Sequence, residues 1–159
     1  MSTSDFSDLL LLFENSEIKY LVVGGYAVMV YTEPRFTKDL DLWIDPTPEN
    51  AAKVFAALAQ FGAPLSGCSV NDFATPEMVF QIGVAPIRID ILTSITAVGF
   101  ADAWLRRERR PFMGRPAWFI SREHLLRNKE AAGRSRDVIV AEELRLAARV
   151  PPNEPPQRK

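Results

Sequence analysis

Two aspartates, Asp39 and Asp41, lie two residues apart in an apolar segment that runs from Lys38 to Ile44. A buried charge costs free energy unless it is paired, so these carboxylates need a nearby cation. Because side chains alternate along a strand, both would share one face, about 6–7 Å apart at Cα. Asp90, in the alternating segment "PIRIDILT", would join them if the two strands are neighbours. The acids predict a site for one or two Mg²⁺ or Mn²⁺ ions, because unpaired carboxylates would repel one another or take up protons.

A pair of glycines upstream, Gly24 and Gly25, predicts the complementary phosphate site. They end an apolar segment typical of a strand and precede a helical segment, so their backbone N–H groups could approach a phosphate closely. A nucleoside triphosphate could then lie between these amides and the metal. Arg35, Thr37 and Lys38 follow in the connecting loop and are expected to be further donors.

Hydrophobic periodicity predicts the elements that position these residues. Thr47 and Ser121 are expected N-caps, and Gly62 and Gly133 are expected helix ends. The predicted helices are residues 5–14, 26–31, 48–62, 100–107, 121–133 and 135–149; the predicted strands are 18–23, 38–44, 77–84 and 86–93, with extended pieces at 109–114 and 116–120. This order indicates an α/β (α+β) fold, with a small mixed β-sheet, flanking helices and a C-terminal helical pair.

The composition limits the class of protein and of metal site. The 159 residues, 47% apolar and 25% charged, are typical of one globular domain, placed at residues 1–150, and the proline-rich residues 151–159 are expected to be disordered. A single cysteine, Cys68, and a single histidine, His124, exclude an internal disulfide and disfavour zinc, so a hard ion held by oxygen is expected. The N-terminus has no basic region and its run "LLLLF" is too short for a bilayer, so a soluble cytoplasmic protein without membrane association is expected.

Charge is distributed unevenly along the chain. Residues 1–100 carry 5 Lys and Arg against 12 Asp and Glu, whereas residues 101–159 carry 14 against 8. An acidic half suits cations and a basic half suits phosphates, although two such halves could also simply attract each other. The segment "RRERR", from Arg106 to Arg110, could be a solvated surface or a patch that binds RNA.

The glycine pair, the Arg-x-Thr-x-Asp-x-Asp segment in "GGYAVMVYTEPRFTKDLDL" and the lone Asp in "IRIDIL" together resemble the nucleotidyltransferase superfamily with the polymerase-beta-like fold. The Arg-x-Thr-x-Asp-x-Asp form is similar to small bacterial members related to abortive-infection toxins of the type IV toxin–antitoxin kind. The resemblance covers about residues 18–145. It implies an enzyme that uses two metal ions to move a nucleoside monophosphate from a triphosphate such as ATP to a hydroxyl of RNA (tRNA), protein or a small molecule. An antitoxin protein would be a further partner.

The resemblance also implies roles for individual residues. Asp39, Asp41 and Asp90 would be the catalytic metal ligands, and Gly24 and Gly25 would form the phosphate loop.

Downstream, "RNKEAAGRSRDVIVAEEL" offers Lys129, Arg136 and Asp137 where many relatives carry a Lys and an Arg-x-x-Asp-like segment. Lys129 would contact phosphate. The chain departs from the pattern at Val140, where relatives often have a second Asp, and at Tyr26, where serine is common after the glycines. The metal motif therefore matches more closely than the phosphate loop.

Other functions are compatible with the same residues. Asp-x-Asp pairs also occur in surface strands, in glycosyltransferases, which are usually longer, and in haloacid-dehalogenase phosphatases, in which the strand would end rather than continue through Trp43 and Ile44. The main alternative is a catalytically weak nucleotide-binding or interaction module of the same fold, and a third is a phosphatase or hydrolase that uses the same acids. Trp43, on the acid face, could stack on a base or form a wall of the pocket.

Overall fold

A computed structural model describes residues 1–149 of the chain. Its helices are α1 (Ser4–Asn15), α2 (Gly24–Tyr31), α3 (Pro48–Phe61), α4 (Phe100–Leu105), α5 (Arg122–Ala132) and α6 (Ser135–Arg149), and a short 3₁₀ helix spans Val70–Ala74. Its strands are β1 (Tyr20–Val23), β2 (Asp39–Ile44), β3 (Val79–Ile82), β4 (Arg88–Leu92), β5 (Glu108–Phe112) and β6 (Arg115–Phe119).

The strands form one mixed sheet in the order β3-β4-β2-β1-β6-β5. β2 runs antiparallel to β1 and parallel to β4, and β1 runs parallel to β6. β3 with β4, and β5 with β6, are antiparallel pairs at the two edges. The acid-bearing strand β2 therefore lies inside the sheet, between β1 and β4.

Alternation along β2 gives the sheet two chemically different faces. Leu40, Leu42 and Ile44 are fully buried on one face, which α1 and α3 cover. Tyr20 of β1 lies opposite Ile44, and its ring centre is 5.8 Å from that of Phe13 of α1. The other face carries the acids.

Helix α4 covers part of the acid face. Trp43, the residue of β2 that follows the acids on this face, is only 1% exposed and its ring packs 5.0 Å from the Phe100 ring of α4. Trp43 is therefore part of the core, and a role in stacking on a base is not supported.

Capping residues fix the helix ends as the sequence predicts. The Thr47 side chain accepts a hydrogen bond from the Asn50 N–H at the start of α3, and Ser121 accepts one from the His124 N–H at the start of α5. α3 and α5 end at Gly62 and Gly133, both in the left-handed conformation.

The predicted fold class is confirmed, because a mixed six-stranded sheet with flanking helices is what the chain forms. The differences are local: α2 begins at Gly24 rather than Tyr26, and the 3₁₀ helix was not predicted. The expected disorder of residues 151–159 falls outside the described residues, and the boundary of the domain stays a prediction. No helix within residues 1–149 is both long and apolar enough to span a bilayer.

Candidate active site

Strand pairing brings two of the three acids together. In the parallel pair β2–β4, Asp41 lies directly opposite Asp90, and in the antiparallel pair β1–β2 it lies opposite Val23. Val23 is the last residue of β1, so the glycine pair follows at the same level of the sheet. Asp39 lies on the same face as Asp41, one pleat away.

The carboxylates of Asp41 and Asp90 are unfavourable neighbours as anions. Burial raises the pKa of Asp41 from 3.8 to about 7, with further contributions from the charges of Asp90 and Asp39, while Lys129 acts in the opposite direction. Burial also raises the pKa of Asp90, against the lowering effect of Arg88. In the absence of a further cation, a proton on Asp41 relieves the repulsion.

The glycines pack directly on the acids. Gly24 has φ +68°, and a Cβ built on it would lie 2.0 Å from the Asp41 Oδ2 atom. A Cβ on Gly25 would lie 2.7 Å from the Thr37 Oγ1 atom. Only residues without side chains allow the backbone to approach Asp41 and Thr37 this closely, which leaves the first turn of α2 beside the acids.

Tyr26 follows the glycine pair directly in the first turn of α2. Its hydroxyl donates to the Thr37 carbonyl oxygen at 3.4 Å. Burial, and then the charge of Asp39, raise the pKa of Tyr26, so its hydroxyl remains a donor. The tyrosine therefore ties the connecting loop to α2.

The other predicted phosphate donors are not all directed at the acids. The Arg35 guanidinium is paired with Glu143 of α6. The Lys38 ammonium lies over the ring of Phe36, 5.4 Å from its centre, and Phe36 is 86% exposed. Thr37 packs against Gly25. These three residues belong to the loop that leads into β2, and within residues 1–149 no hydrogen bond or ion pair joins their side chains to the acids.

Lys129 connects the acids to a second buried carboxylate. Its Nζ atom lies 3.6 Å from Asp137 Oδ1, and its charge lowers the pKa of Asp41. Asp137 also accepts a hydrogen bond from the Arg134 Nε at 2.7 Å. Arg136 is exposed.

Arg88 is a site residue that the sequence reasoning did not single out. Its Nη2 atom lies 3.0 Å from Asp39 Oδ2, and its Nε atom lies 3.4 Å from Asp90 Oδ1. The signal was present, because alternation along β4 puts Arg88 and Asp90 on one face.

Most arginines of the "RRERR" segment have carboxylate partners. Arg106 pairs with Glu123, Arg109 with Glu14 and Arg110 with Glu108. Arg107 is stacked between two rings, 3.9 Å from the centre of Trp104 and 4.3 Å from that of Trp118. This pairing favours a structural role for the segment over RNA binding.

The acids fit a hard divalent cation by their chemistry. All offer carboxylate oxygens, and Asp90 Oδ1 is buried without a hydrogen-bond partner. As the side chains stand, no three His, Cys, Asp or Glu residues within positions 1–149 converge closely enough to ligate one ion. Asp39, which pairs with Arg88, would have to turn toward Asp41 and Asp90 to complete such a set.

The fold is that of known nucleotidyltransferases. A lincosamide antibiotic adenylyltransferase, LnuA, solved with lincomycin bound, matches with a TM-score of 0.58 and 17% identity over 91% of this chain and 97% of its own. ANT(2″)-Ia, solved with adenylyl-2″-tobramycin, matches with a TM-score of 0.60 and 13% identity over 92% of this chain and 90% of its own. A Thermotoga maritima protein provisionally assigned as a nucleotidyltransferase matches with a TM-score of 0.54 and 15% identity over 89% and 88%.

No protein-family model matches the sequence, and no curated protein matches it either. The expected resemblance is thus confirmed at the level of the nucleotidyltransferase fold, through structures that share little sequence with this chain.

Proposed function

We propose that the protein is a metal-dependent nucleotidyltransferase that moves a nucleoside monophosphate from a nucleoside triphosphate to an acceptor hydroxyl. The observation that carries this proposal is the close packing of Gly24 on Asp41, which in turn lies opposite Asp90. A phosphate at the start of α2 would therefore lie beside oxygen ligands suited to Mg²⁺ or Mn²⁺.

The chain's own residues would bind and orient the triphosphate. Backbone N–H groups of Gly24 and Gly25 would hold phosphate oxygens, and Lys129 would add a positive charge beside Asp41. Asp39, Asp41 and Asp90 would hold the metal ions. When bound, these ions would neutralise phosphate charge and stabilise the departing pyrophosphate.

The transfer itself is a displacement at the α-phosphorus. The acceptor oxygen forms a bond to this phosphorus as the bond to the bridging α–β oxygen breaks, and pyrophosphate leaves with that electron pair. The hydroxyl proton passes to a carboxylate, for which Asp90 is the candidate because its Oδ1 atom accepts no hydrogen bond. Arg35, Thr37 and Lys38 of the connecting loop would be further phosphate donors, for which Arg35 would exchange its ion pair with Glu143.

We favour a small molecule as the acceptor. The "RRERR" arginines are largely neutralised by glutamates, which weakens the case for tRNA at that surface. Two structures with the same fold are described with small antibiotics or their adenylylated forms, which is consistent with a small hydroxyl compound here. Transfer to tRNA or protein, and a role as a toxin held in check by an antitoxin, rest on the motif resemblance alone.

A nucleotide-binding module with little turnover is the second candidate. The pairing of Asp39 with Arg88, and the absence of a converged three-acid group within the described residues, favour it. Tyr26 and Val140, where the chain departs from the family pattern, point in the same direction.

The deciding experiment measures transfer of label from each α-labelled nucleoside triphosphate, with Mg²⁺ or Mn²⁺. The acceptors are a panel of small polyhydroxyl and aminoglycoside compounds, total tRNA and lysate protein. The wild type is compared with Asp39→Ala/Asp41→Ala and with Asp45→Asn, which removes an acid just beyond the end of the same strand.

We expect label on one acceptor class with the wild type and with Asp45→Asn, and a loss of at least about 1000-fold with the double variant. Label that persists with the double variant would refute the assignment of the acids. Nucleotide binding without label on any acceptor would favour the binding module.

A further inference from the structure

One cation of the chain itself lies among the three acids. Arg88 is directly opposite Asp39 in the parallel register of β2 and β4, and it is two residues from Asp90 on the same face. Its guanidinium contacts both carboxylates, at 3.0 Å to Asp39 and 3.4 Å to Asp90. Arg88 therefore bridges the two acids that flank Asp41.

The Arg88 side chain is partly enclosed rather than solvated. It is 32% exposed, while its partners Asp39 and Asp90 are 37% and 13% exposed. The Arg88 Nε and the Asp90 Oδ1 are each buried without a well-directed hydrogen bond, although they face each other. Charge attraction, rather than hydrogen-bond geometry, thus relates Arg88 to Asp90, and such a contact can exchange for another cation more readily than an ideal bidentate pair.

The orientation of Asp39 follows from the same contact. Asp39 and Asp41 share a face, yet they do not converge with Asp90 into a three-acid group. The Asp39 carboxylate is instead hydrogen-bonded to Arg88. A divalent ion that needs Asp39 as a ligand must therefore displace the guanidinium from it.

We propose that Arg88 is an internal counter-cation that competes with the divalent metal for Asp39 and Asp90. The inference rests on the proposed function, since it takes these acids as the metal ligands. Arg88 stabilises the acid cluster in the metal-free protein and weakens metal binding by occupying part of the site. It is a positioning residue, because it acts through the carboxylates.

The opposite role makes the opposite prediction. If Arg88 only held Asp39 and Asp90 in a geometry ready for metal, its removal would disorder the ligands and weaken metal binding. Metal affinity of the nucleotide-free protein therefore separates the two roles without any measurement of transfer.

The test measures Mn²⁺ binding to the nucleotide-free full chain by electron paramagnetic resonance of free Mn²⁺. The variants are Arg88→Met, which keeps the length of the aliphatic stem, and Arg88→Gln, a second neutral variant in case the first does not fold. Arg106→Met is the matched control, because it also removes one positive charge, but from the exposed pair with Glu123. Asp41→Asn reports whether the binding occurs at the acids.

We expect Arg88→Met or Arg88→Gln to bind Mn²⁺ about 10-fold more tightly than the wild type, because the competing state is removed. Arg106→Met should match the wild type. Unchanged or weaker binding by the folded Arg88 variants, with binding still sensitive to Asp41→Asn, would overturn the role of Arg88 and leave the metal site standing. If no protein binds Mn²⁺, with or without ATP, the proposed function fails, and this inference fails with it.

Discussion

Asp41, which is partly buried, and Asp137, which is buried, are two aspartates whose pKa values shift in opposite directions. Asp41 faces two other carboxylates, and burial raises its pKa to about 7. Asp137 is 1% exposed, but hydrogen bonds from Arg134 hold its pKa below the usual range, and Lys129 adds to this effect. The ionised form of an aspartate is therefore destabilised at position 41 and stabilised at position 137.

This difference separates the acidic site from the basic C-terminal helices. In the helices, acidic and basic groups pair within a turn or across the α5–α6 contact, as Arg145 does with Glu142 and Glu130. Around Asp41, the acids outnumber their cations, which are Arg88 and Lys129. A cluster that costs stability and has a geometry suited to phosphate is typical of a functional site, whereas the paired groups hold the fold together.

The largest expected effect on stability comes from removing the charge of Asp41. Because its folded-state pKa of about 7 exceeds the ordinary 3.8, the free energy of unfolding should fall as pH rises between these values. Asp41→Asn cannot ionise, so in metal-free buffer at about pH 8 it should be more stable than the wild type by up to about 4 kcal/mol. The two proteins should converge near pH 4, as chemical denaturation at several pH values would reveal.

Asp45→Asn provides the control for that comparison. Asp45 lies just beyond β2 and outside the acid cluster, so its replacement should leave the pH profile of the wild type unchanged. A wild-type protein that becomes more stable between about pH 4 and about pH 7 relative to Asp41→Asn would contradict the raised pKa.

A side chain at Gly24 should act directly on the acid cluster, through Asp41. Gly24→Ala would force a Cβ to within 2.0 Å of Asp41 Oδ2 at φ +68°. We expect a loss of about 2–3 kcal/mol in stability and at least about 100-fold in transfer, since Asp41 must move. Calorimetry and the labelling assay measure the two effects.

Gly62→Ala is the matched variant for Gly24→Ala. Gly62 also has a positive φ, of +92°, but no atom lies within 4 Å of a Cβ built there. Only the backbone cost, about 1 kcal/mol, should appear, with transfer unchanged. Equal losses of transfer in the two variants would mean that contact with Asp41 is not what Gly24 provides.

Removing the charge of Asp137 should lower the stability of the protein, whereas removing that of Asp41 should raise it. Asp137→Asn removes the charge that Arg134 and Lys129 contact, so we expect a loss of about 2 kcal/mol at neutral pH. Because the folded-state pKa of Asp137 is lowered, its contribution is present above the ordinary pKa and is lost as pH falls through the lowered value. The difference in melting temperature from the wild type should therefore shrink in acid.

Glu142→Gln on the same helix tests whether removing any acidic charge from α6 lowers stability as much as Asp137→Asn does. Glu142 is exposed and contacts only Arg145 among the ion pairs of the described residues, so its loss should change stability by less than about 0.5 kcal/mol. An Asp137→Asn protein as stable as Glu142→Gln would remove the contrast between Asp137 and Asp41.

The strand positions of the three acids could be predicted from the sequence, whereas the ion pairs of Asp137 could not. Alternation in "DLDLWI" and "RIDIL" was enough to put Asp39, Asp41 and Asp90 on strand faces, because the period of a strand is fixed by backbone geometry. Strand order could not be predicted, since nothing local says that β4 rather than β3 pairs with β2. The adjacency of Asp41 and Asp90 follows from that pairing.

Ion pairs that depend on tertiary packing could not be predicted from local sequence patterns either. Arg134 follows the helix end at Gly133 and donates to Asp137, a contact that the sequence pattern did not indicate. The role of Arg35 as a phosphate donor stays a prediction, and its pairing with Glu143 depends on where α6 packs against the rest of the chain. Such contacts depend on tertiary packing, which periodicity does not encode.

The smallest expected effect concerns Arg106, the first arginine of the "RRERR" segment. Arg106→Ala removes a pair with Glu123 in which both side chains are more than 60% exposed. Solvent screens such a pair, so we expect a change of less than about 0.5 kcal/mol, with transfer to the acceptor unaffected. If Arg106→Ala instead abolished labelling of tRNA but not of a small acceptor, the arginine segment would be an acceptor surface. The contrast between the unpaired charges around Asp41 and the paired charges elsewhere would then not suffice to locate function in this fold, because a paired surface charge would also have a functional role.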